Sequence, residues 1–137
     1  MSKREKTVYT EYRELNNSGW SIQNTNPVLC RSNGGSETLD HAVAKTVAGK
    51  VLENAGYRVQ SEAPTKQGKE ADILGFGHES RNPVVIELER STSESVEEKK
   101  RKQYLKGSVR EVWVIDLDSA PSDPSELFDH ISEVTGL

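Results

Sequence analysis

EADILGFG, residues 70–77, and PVVIELE, residues 83–89, are short apolar runs that predict two neighbouring buried strands. Carboxylates are seldom buried in such strands without a partner. Asp72 nevertheless starts the apolar part of the first run, and Glu87 and Glu89 end the second. Because side chains alternate along a strand, Glu87 and Glu89 point to the same face. An antiparallel hairpin would bring all three carboxylates together, where a divalent cation with oxygen ligands would offset their repulsion.

Composition narrows the class of protein. The 137 residues suffice for one domain with a small core, since 33% are hydrophobic and 29% charged. The net charge of -4 provides no overall basic field, so binding of nucleic acid would need a local patch or a metal. A lone Cys30 excludes an intramolecular disulfide and fits a reducing compartment. No apolar run approaches membrane-spanning length, so we expect a cytoplasmic protein without membrane contact.

Periodicity and turn residues predict an α/β protein with a mixed sheet flanked by helices. The predicted core has the order α-β-β-β-α-β and spans residues 36–118. Before it, residues 1–35 form an arm that packs on the core, or alternatively contacts a substrate or forms a dimer interface. After it, residues 119–137 carry a C-terminal helix.

The first predicted core helix, residues 36–55, places acidic residues near its apolar stripe. Asp40 falls within the stripe and Glu37 at its edge, when each residue turns by about 100°. Glu37 either favours the helix dipole or reaches a metal site at the end of the sheet. His41 lies further round and is interpreted as an exposed polar residue.

The second predicted core helix, residues 94–106, is unusually charged. Its run EEKKRK, residues 97–102, is typical of a solvated face with i,i+4 ion pairs. Lys99 and Gln103 nevertheless project from the same side as Val96, the expected packing side. From there they could face the carboxylates.

The core resembles the PD-(D/E)XK nuclease superfamily, which has the restriction-endonuclease-like fold. The superfamily has an acidic residue on a helix, an Asp on one strand and an acid-x-Lys sequence on the next strand. The matching positions here are Glu37 on the helix, Asp72 on the first strand, and Glu87 and Glu89 on the second. Two positions depart from the pattern: Ala71 stands where Pro is common, and Glu89 stands at the motif Lys. Some restriction enzymes of the superfamily also place Glu there, and other members carry the Lys on the neighbouring helix.

Residues 87–107 are also similar to nuclease-like domains of replication and mobile-element proteins. That similarity makes a virus or a mobile element an expected origin. In some of those domains, catalysis itself is uncertain.

The resemblance implies metal-dependent hydrolysis of DNA phosphodiester bonds, with Mg²⁺ or Mn²⁺ as the cofactor. Asp72 and Glu87 would hold the metal, and Glu37 would bind a second ion or orient a metal-bound water. Glu89 would complete the ligand set or act as a general base. Lys99 would replace the motif Lys by stabilising charge on the phosphate. The expected DNA contacts are Lys66, Lys69, Lys99, Lys100, Lys102 and Gln103.

Two other classes of function stay open. A nuclease-like domain could bind DNA without cutting it, in replication or transfer of a mobile element, which the missing motif Lys favours. A protein-interaction module would use the acids only for salt bridges, for example Glu89 with Arg90 or a helix lysine. RNA stays open as a substrate, and a homodimer is expected if the protein cuts both strands of a duplex.

Overall fold

The computed structural model describes residues 2–22 and 38–137. Within these ranges the elements are α1 (Lys3–Asn16), α2 (Leu39–Asn54), β1 (Arg58–Pro64), β2 (Glu70–Phe76), β3 (Val84–Glu89), α3 (Glu94–Tyr104), β4 (Glu111–Asp116) and α4 (Pro124–Thr135). The strands form a mixed sheet in the order β1-β2-β3-β4. β1, β2 and β3 are antiparallel neighbours, whereas β4 runs parallel to β3 after the crossover through α3. The prediction of an α/β protein with a mixed sheet is therefore confirmed.

Local sequence sets where the helices begin. Thr38 caps α2 by accepting the amide of His41, so this helix starts later than predicted. Ser93 and Asp123 cap α3 and α4 in the same way. Ser2 caps α1, which occupies most of the described part of the predicted arm.

Two hydrophobic cores lie on opposite faces of the sheet. One contains α2 and α4, with Leu52 and Ile131 fully buried. The other contains α1 and α3, with Leu15, Trp20 and Tyr104 buried against the sheet. Burial of these side chains supplies the main driving force for the fold. It also fixes α2 and α3 on either side of the strand ends that carry the acidic residues.

The regular pairing of β1 with β2 is interrupted at Glu62 and Asp72. The pairing of the strands includes Ser61 with Ile73 and Ala63 with Ala71, but not the residues between, Glu62 and Asp72. Glu62 has φ of 50°, which is uncommon for a residue with a side chain.

The side chains of both strands also change face at this level. Val59 and Ile73 pack into the core with α2, whereas Ala63 and Ala71 pack into the core with α1. In regular strands, residues two or four apart would share a face. We call this feature the paired irregularity.

The backbone pairing of β2 with β3 is short. It covers residues 73–75 of β2 and 84–86 of β3 and does not reach Asp72 or Glu87. We call the region where these two residues lie the open end of the sheet. Both side chains and the amide of Asp72 consequently form other bonds.

Candidate functional site

Asp72 and Glu87 join β2 and β3 at the open end of the sheet. The amide of Asp72 donates to Oε2 of Glu87 at 2.6 Å. In the other direction, the amide of Leu88 donates to Oδ2 of Asp72 at 2.9 Å. Each carboxylate thus accepts an N–H group of the opposite strand, in place of the regular ladder. The predicted proximity of Asp72 and Glu87 is confirmed, and both carboxylates have fixed orientations.

Lys100 forms ion pairs with Glu87 and Glu89 at this site. Its Nζ lies 3.1 Å from Oε1 of Glu87 and 2.9 Å from Oε1 of Glu89. Lys100 is on the packed side of α3 because Tyr104, one turn later, anchors that side. The Tyr104 hydroxyl donates to the carbonyl of Glu70 at 2.8 Å.

The prediction that Lys99 faces the carboxylates is therefore wrong, because the next residue, Lys100, occupies that position. Lys99 is exposed, whereas Val96 and Lys100 are half-buried and Tyr104 is buried. These three residues are spaced four apart and form the side of α3 that packs on the sheet. Lys99 lies outside that side. The large apolar ring of Tyr104 decides the rotation of the helix, because its burial contributes more than that of the half-buried Gln103.

The N-terminal turn of α2 reaches Asp72 through a residue that was not predicted. Nε2 of His41 lies 3.6 Å from Oδ1 of Asp72, and the His41 side chain is only 27% exposed. The interpretation of His41 as an exposed polar residue is wrong. Asp40, placed within the apolar stripe by the sequence pattern, is instead exposed and pairs with Arg90. Glu37, the predicted metal ligand on this helix, lies outside the described residues.

A buried ion pair lies beside the carboxylates and was also missed. Nζ of Lys45 is 2.6 Å from Oε1 of Glu62, and their side chains are only 1% and 9% exposed. The sequence does contain a signal. Lys45 follows His41 by four residues and precedes Leu52 by seven, so all three share one side of α2. A lysine on that side requires a buried partner.

These residues line a cleft of about 430 Å³ between α2 and α3 at the open end of the sheet. Its charged side chains include five carboxylates and three cations: Glu62, Glu70, Asp72, Glu87 and Glu89 against Lys45, Arg90 and Lys100. An excess of carboxylates favours binding of a further cation.

Carboxylate oxygens are the donors that magnesium and manganese prefer in proteins. Within residues 2–22 and 38–137, no group of three or more His, Cys, Asp or Glu side chains is arranged to hold a metal ion. Mg²⁺, however, is commonly bound through one or two carboxylates, with waters and substrate phosphates as its other ligands. Asp72 and Glu87 supply two carboxylates that lie close together.

Burial determines the protonation of Glu87. Removal from water, together with the nearby charge of Asp72, raises the pKa of Glu87 to about 8. Lys100 and the Asp72 amide only partly offset this effect. Burial on its own would lower the pKa of Lys100, but Glu87 and Glu89 raise it above its usual value. Lys100 therefore stays protonated, while Glu87 binds its proton far more tightly than a free carboxyl group.

This difference predicts how pH affects stability. A carboxyl group whose pKa is higher in the folded state favours folding most below its unfolded pKa, 4.5, and favours it less as the pH rises towards about 8. We expect Glu87→Gln, which cannot ionise, to gain melting temperature relative to wild type between pH 5 and pH 8. Thermal unfolding in EDTA at several pH values measures the difference. A difference independent of pH would contradict the raised pKa.

Three of the lysines predicted to contact DNA, Lys66, Lys69 and Lys102, are exposed outside the cleft. Lys66 and Lys69 are exposed in the turn between β1 and β2. Nζ of Lys106 donates to Oε1 of Gln67 at 3.0 Å, which joins this turn to the end of α3. Lys102 is also exposed on α3, 3.6 Å from Glu98. Lys100, by contrast, is engaged with the carboxylates, and Gln103 is half-buried.

No protein-family model, curated protein or solved structure matches this chain. Among the described residues, no helix has both the length and the apolar character required to cross a membrane.

Proposed function

We propose that this protein is a metal-dependent nuclease of the PD-(D/E)XK type that hydrolyses DNA phosphodiester bonds with Mg²⁺ or Mn²⁺. The observation that carries the proposal is the meeting of Asp72, Glu87, Glu89 and Lys100 in one cleft. The order of elements, with three antiparallel strands and a crossover helix to a parallel fourth, agrees with the restriction-endonuclease-like fold. In this proposal, Lys100 takes the place of the motif Lys that Glu89 replaces.

Each side chain has a separate part in the proposed reaction. Asp72 and Glu87 hold the cation, and their bonds to opposite strands keep both carboxylates oriented. A bound divalent cation would polarise the phosphate and make a bound water more acidic. Glu89, which is 30% exposed, accepts a proton from the attacking water. Lys100 donates to a phosphate oxygen and stabilises the negative charge that develops there.

In this proposal, exposed lysines outside the cleft bind the DNA backbone and guide the DNA to the cleft. Lys66 and Lys69 in the β1–β2 turn and Lys102 on α3 are exposed for phosphate contacts. Lys99 is exposed as well and belongs with these contacts rather than with the reacting groups. Such contacts orient the duplex without reading its sequence.

The experiment that tests the function is cleavage of end-labelled DNA, with Mg²⁺, Mn²⁺ or EDTA. Single-stranded, blunt, nicked and branched substrates should be compared, together with an RNA of the same sequence. We expect cleavage in the presence of either metal and none in EDTA. Isothermal titration with Mn²⁺ provides a second readout. Failure to cut any of these substrates, despite measurable Mn²⁺ binding, would contradict the nuclease proposal.

A nuclease-like protein that binds DNA without cutting it is the second candidate. It is favoured by the contacts of Lys100, which pair its charge with both Glu87 and Glu89. In this alternative the acidic residues only stabilise the end of the sheet. The absence of Mn²⁺ binding, together with retained DNA binding, would identify it. The absence of both would favour a protein-interaction module.

In either DNA-binding alternative, affinity should depend on salt. Each phosphate neutralised by a lysine releases counterions, so the logarithm of affinity falls with the logarithm of salt concentration, at a slope of about -0.9 per contact. We expect Lys66→Ala to reduce this slope by roughly one contact, for any duplex sequence. The matched control is Lys50→Ala, because Lys50 is an exposed lysine on α2 and is not among the predicted DNA contacts. Fluorescence anisotropy over a range of salt concentrations measures both. Affinity that does not change with salt would show that Lys66, Lys69 and Lys102 do not form the DNA-binding surface.

A further inference from the structure

The ion pair of Lys45 and Glu62 is unusual in its surroundings. Lys45 is the one charged residue among the seven buried residues of α2, where the others are alanine, glycine, valine and leucine. Its Nζ lies 2.6 Å from Oε1 of Glu62. Burial of two charges carries a large desolvation penalty, so such a pair need not add to stability. Its presence beside the cleft calls for another explanation.

Glu62 also holds the backbone in an uncommon conformation. In the described ranges, Glu62 and Ser91 are the two non-glycine residues with positive φ. Glu62 stands opposite Asp72 in the paired irregularity, where the β1–β2 pairing is interrupted. Residues in such conformations persist when surrounding contacts hold them, and they cluster at functional sites. The Glu62 side chain bonds to Lys45 on α2, which is a contact of this kind.

The irregularity determines what Asp72 can contact. Because β2 changes face at Asp72, the Asp72 amide is directed to Glu87 and its carboxylate to the amide of Leu88. A regular β2 would instead continue the ladder with β3 beyond Ile73. The orientation of Asp72 is therefore tied to the conformation of Glu62 across the strand pair.

We propose that Lys45 and Glu62 are positioning residues, which hold the paired irregularity and thereby direct the amide and carboxylate of Asp72. Neither residue needs to touch a substrate in this role. The positioning of Asp72 can be measured in the protein without any ligand. Its consequence for metal binding rests on the proposed function.

The test replaces the pair by neutral side chains of similar length, in the double variant Lys45→Met/Glu62→Gln. Removing both charges together avoids the uncompensated buried charge that either single substitution would leave. The matched control is Lys50→Met/Glu53→Gln, which makes the same changes in an exposed ion pair of α2. Should the first variant fail to fold, Lys45→Met/Glu62→Met replaces it, because apolar side chains of similar volume often substitute for a buried ion pair without loss of stability.

Two measurements are made on the folded variant. We expect the Asp72 amide to exchange its proton at least about 10-fold faster than in wild type, because its bond to Glu87 is no longer held. We also expect Mn²⁺ affinity to fall by about 10- to 100-fold, as for other residues that orient metal ligands. The control variant should change neither.

The outcomes separate this inference from the proposed function. Unchanged exchange at Asp72 overturns the positioning role, whatever the metal result. Faster exchange with unchanged Mn²⁺ affinity overturns the link between positioning and the site. If wild type binds no Mn²⁺, the metal-dependent nuclease proposal fails. The exchange measurement then still decides whether Lys45 and Glu62 position Asp72.

Discussion

Asp72→Asn is expected to remove Mn²⁺ binding and to lower the cleavage rate on the order of 1000-fold, or about 4 kcal/mol in the activation barrier. The substitution takes away a negative charge, while Asn can still accept the bond from the Leu88 amide. The fold should consequently survive. Isothermal titration and single-turnover cleavage measure the two effects, and circular dichroism checks the fold.

The matched control for this prediction is Asp129→Asn, which makes the same change at an exposed position on α4. It should bind metal and cut DNA as wild type does. If Asp72→Asn binds Mn²⁺ as tightly as this control, Asp72 is not a ligand. The acidic residues of the cleft would then have only a structural role.

Lys100→Met should lower the cleavage rate by about 100- to 1000-fold, or roughly 3 to 4 kcal/mol, as expected for a positioned charge that stabilises the transition state. The neighbouring Lys99→Met is the matched control, because Lys99 is exposed and would serve only in DNA contacts. It should weaken DNA binding modestly and leave the rate at saturating DNA unchanged. Equal single-turnover rates for the two variants would contradict the assignment of Lys100.

Lys100→Met should also change the protein without DNA. Glu87 is buried and loses a cation 3.1 Å away, so it should bind its proton still more tightly. We expect a lower melting temperature at pH 8 than at pH 6, with a larger difference than in wild type. Mn²⁺ binding should persist, because the ion can replace the missing positive charge beside Glu87.

Much of the fold could be predicted from the sequence because its signals are local. Alternation and apolar runs identify β2, β3 and β4, and the serine and glycine residues flanking α3 mark its approximate ends. Asp72 and Glu87 stand out for the same reason, since a carboxylate inside an apolar strand is uncommon in any context. The prediction that they lie close together needed only the antiparallel pairing of two consecutive strands.

The remaining parts of the site depend on long-range packing. Lys99 and Lys100 are adjacent in a run of charged residues, and only the docking of Tyr104 against Trp20 and the sheet selects which one faces inward. His41 was misjudged because the apolar stripe of α2 is rotated, with Leu39 79% exposed. The partner of Lys45 is a residue with positive φ, which no local pattern at Glu62 predicts.

The two side-chain bonds between β2 and β3 affect which residues evolution can replace. Asp72 and Glu87 each complete the hydrogen bonding of the opposite strand, and Lys100 neutralises charge that burial would otherwise leave unpaired. If a descendant lost the proposed nuclease activity, the two bonds between the strands would still favour hydrogen-bonding side chains at positions 72 and 87. The exposed Lys66 and Lys69 have no such second role in the sheet. If the proposed DNA binding were lost as well, we expect these two lysines to be replaced first.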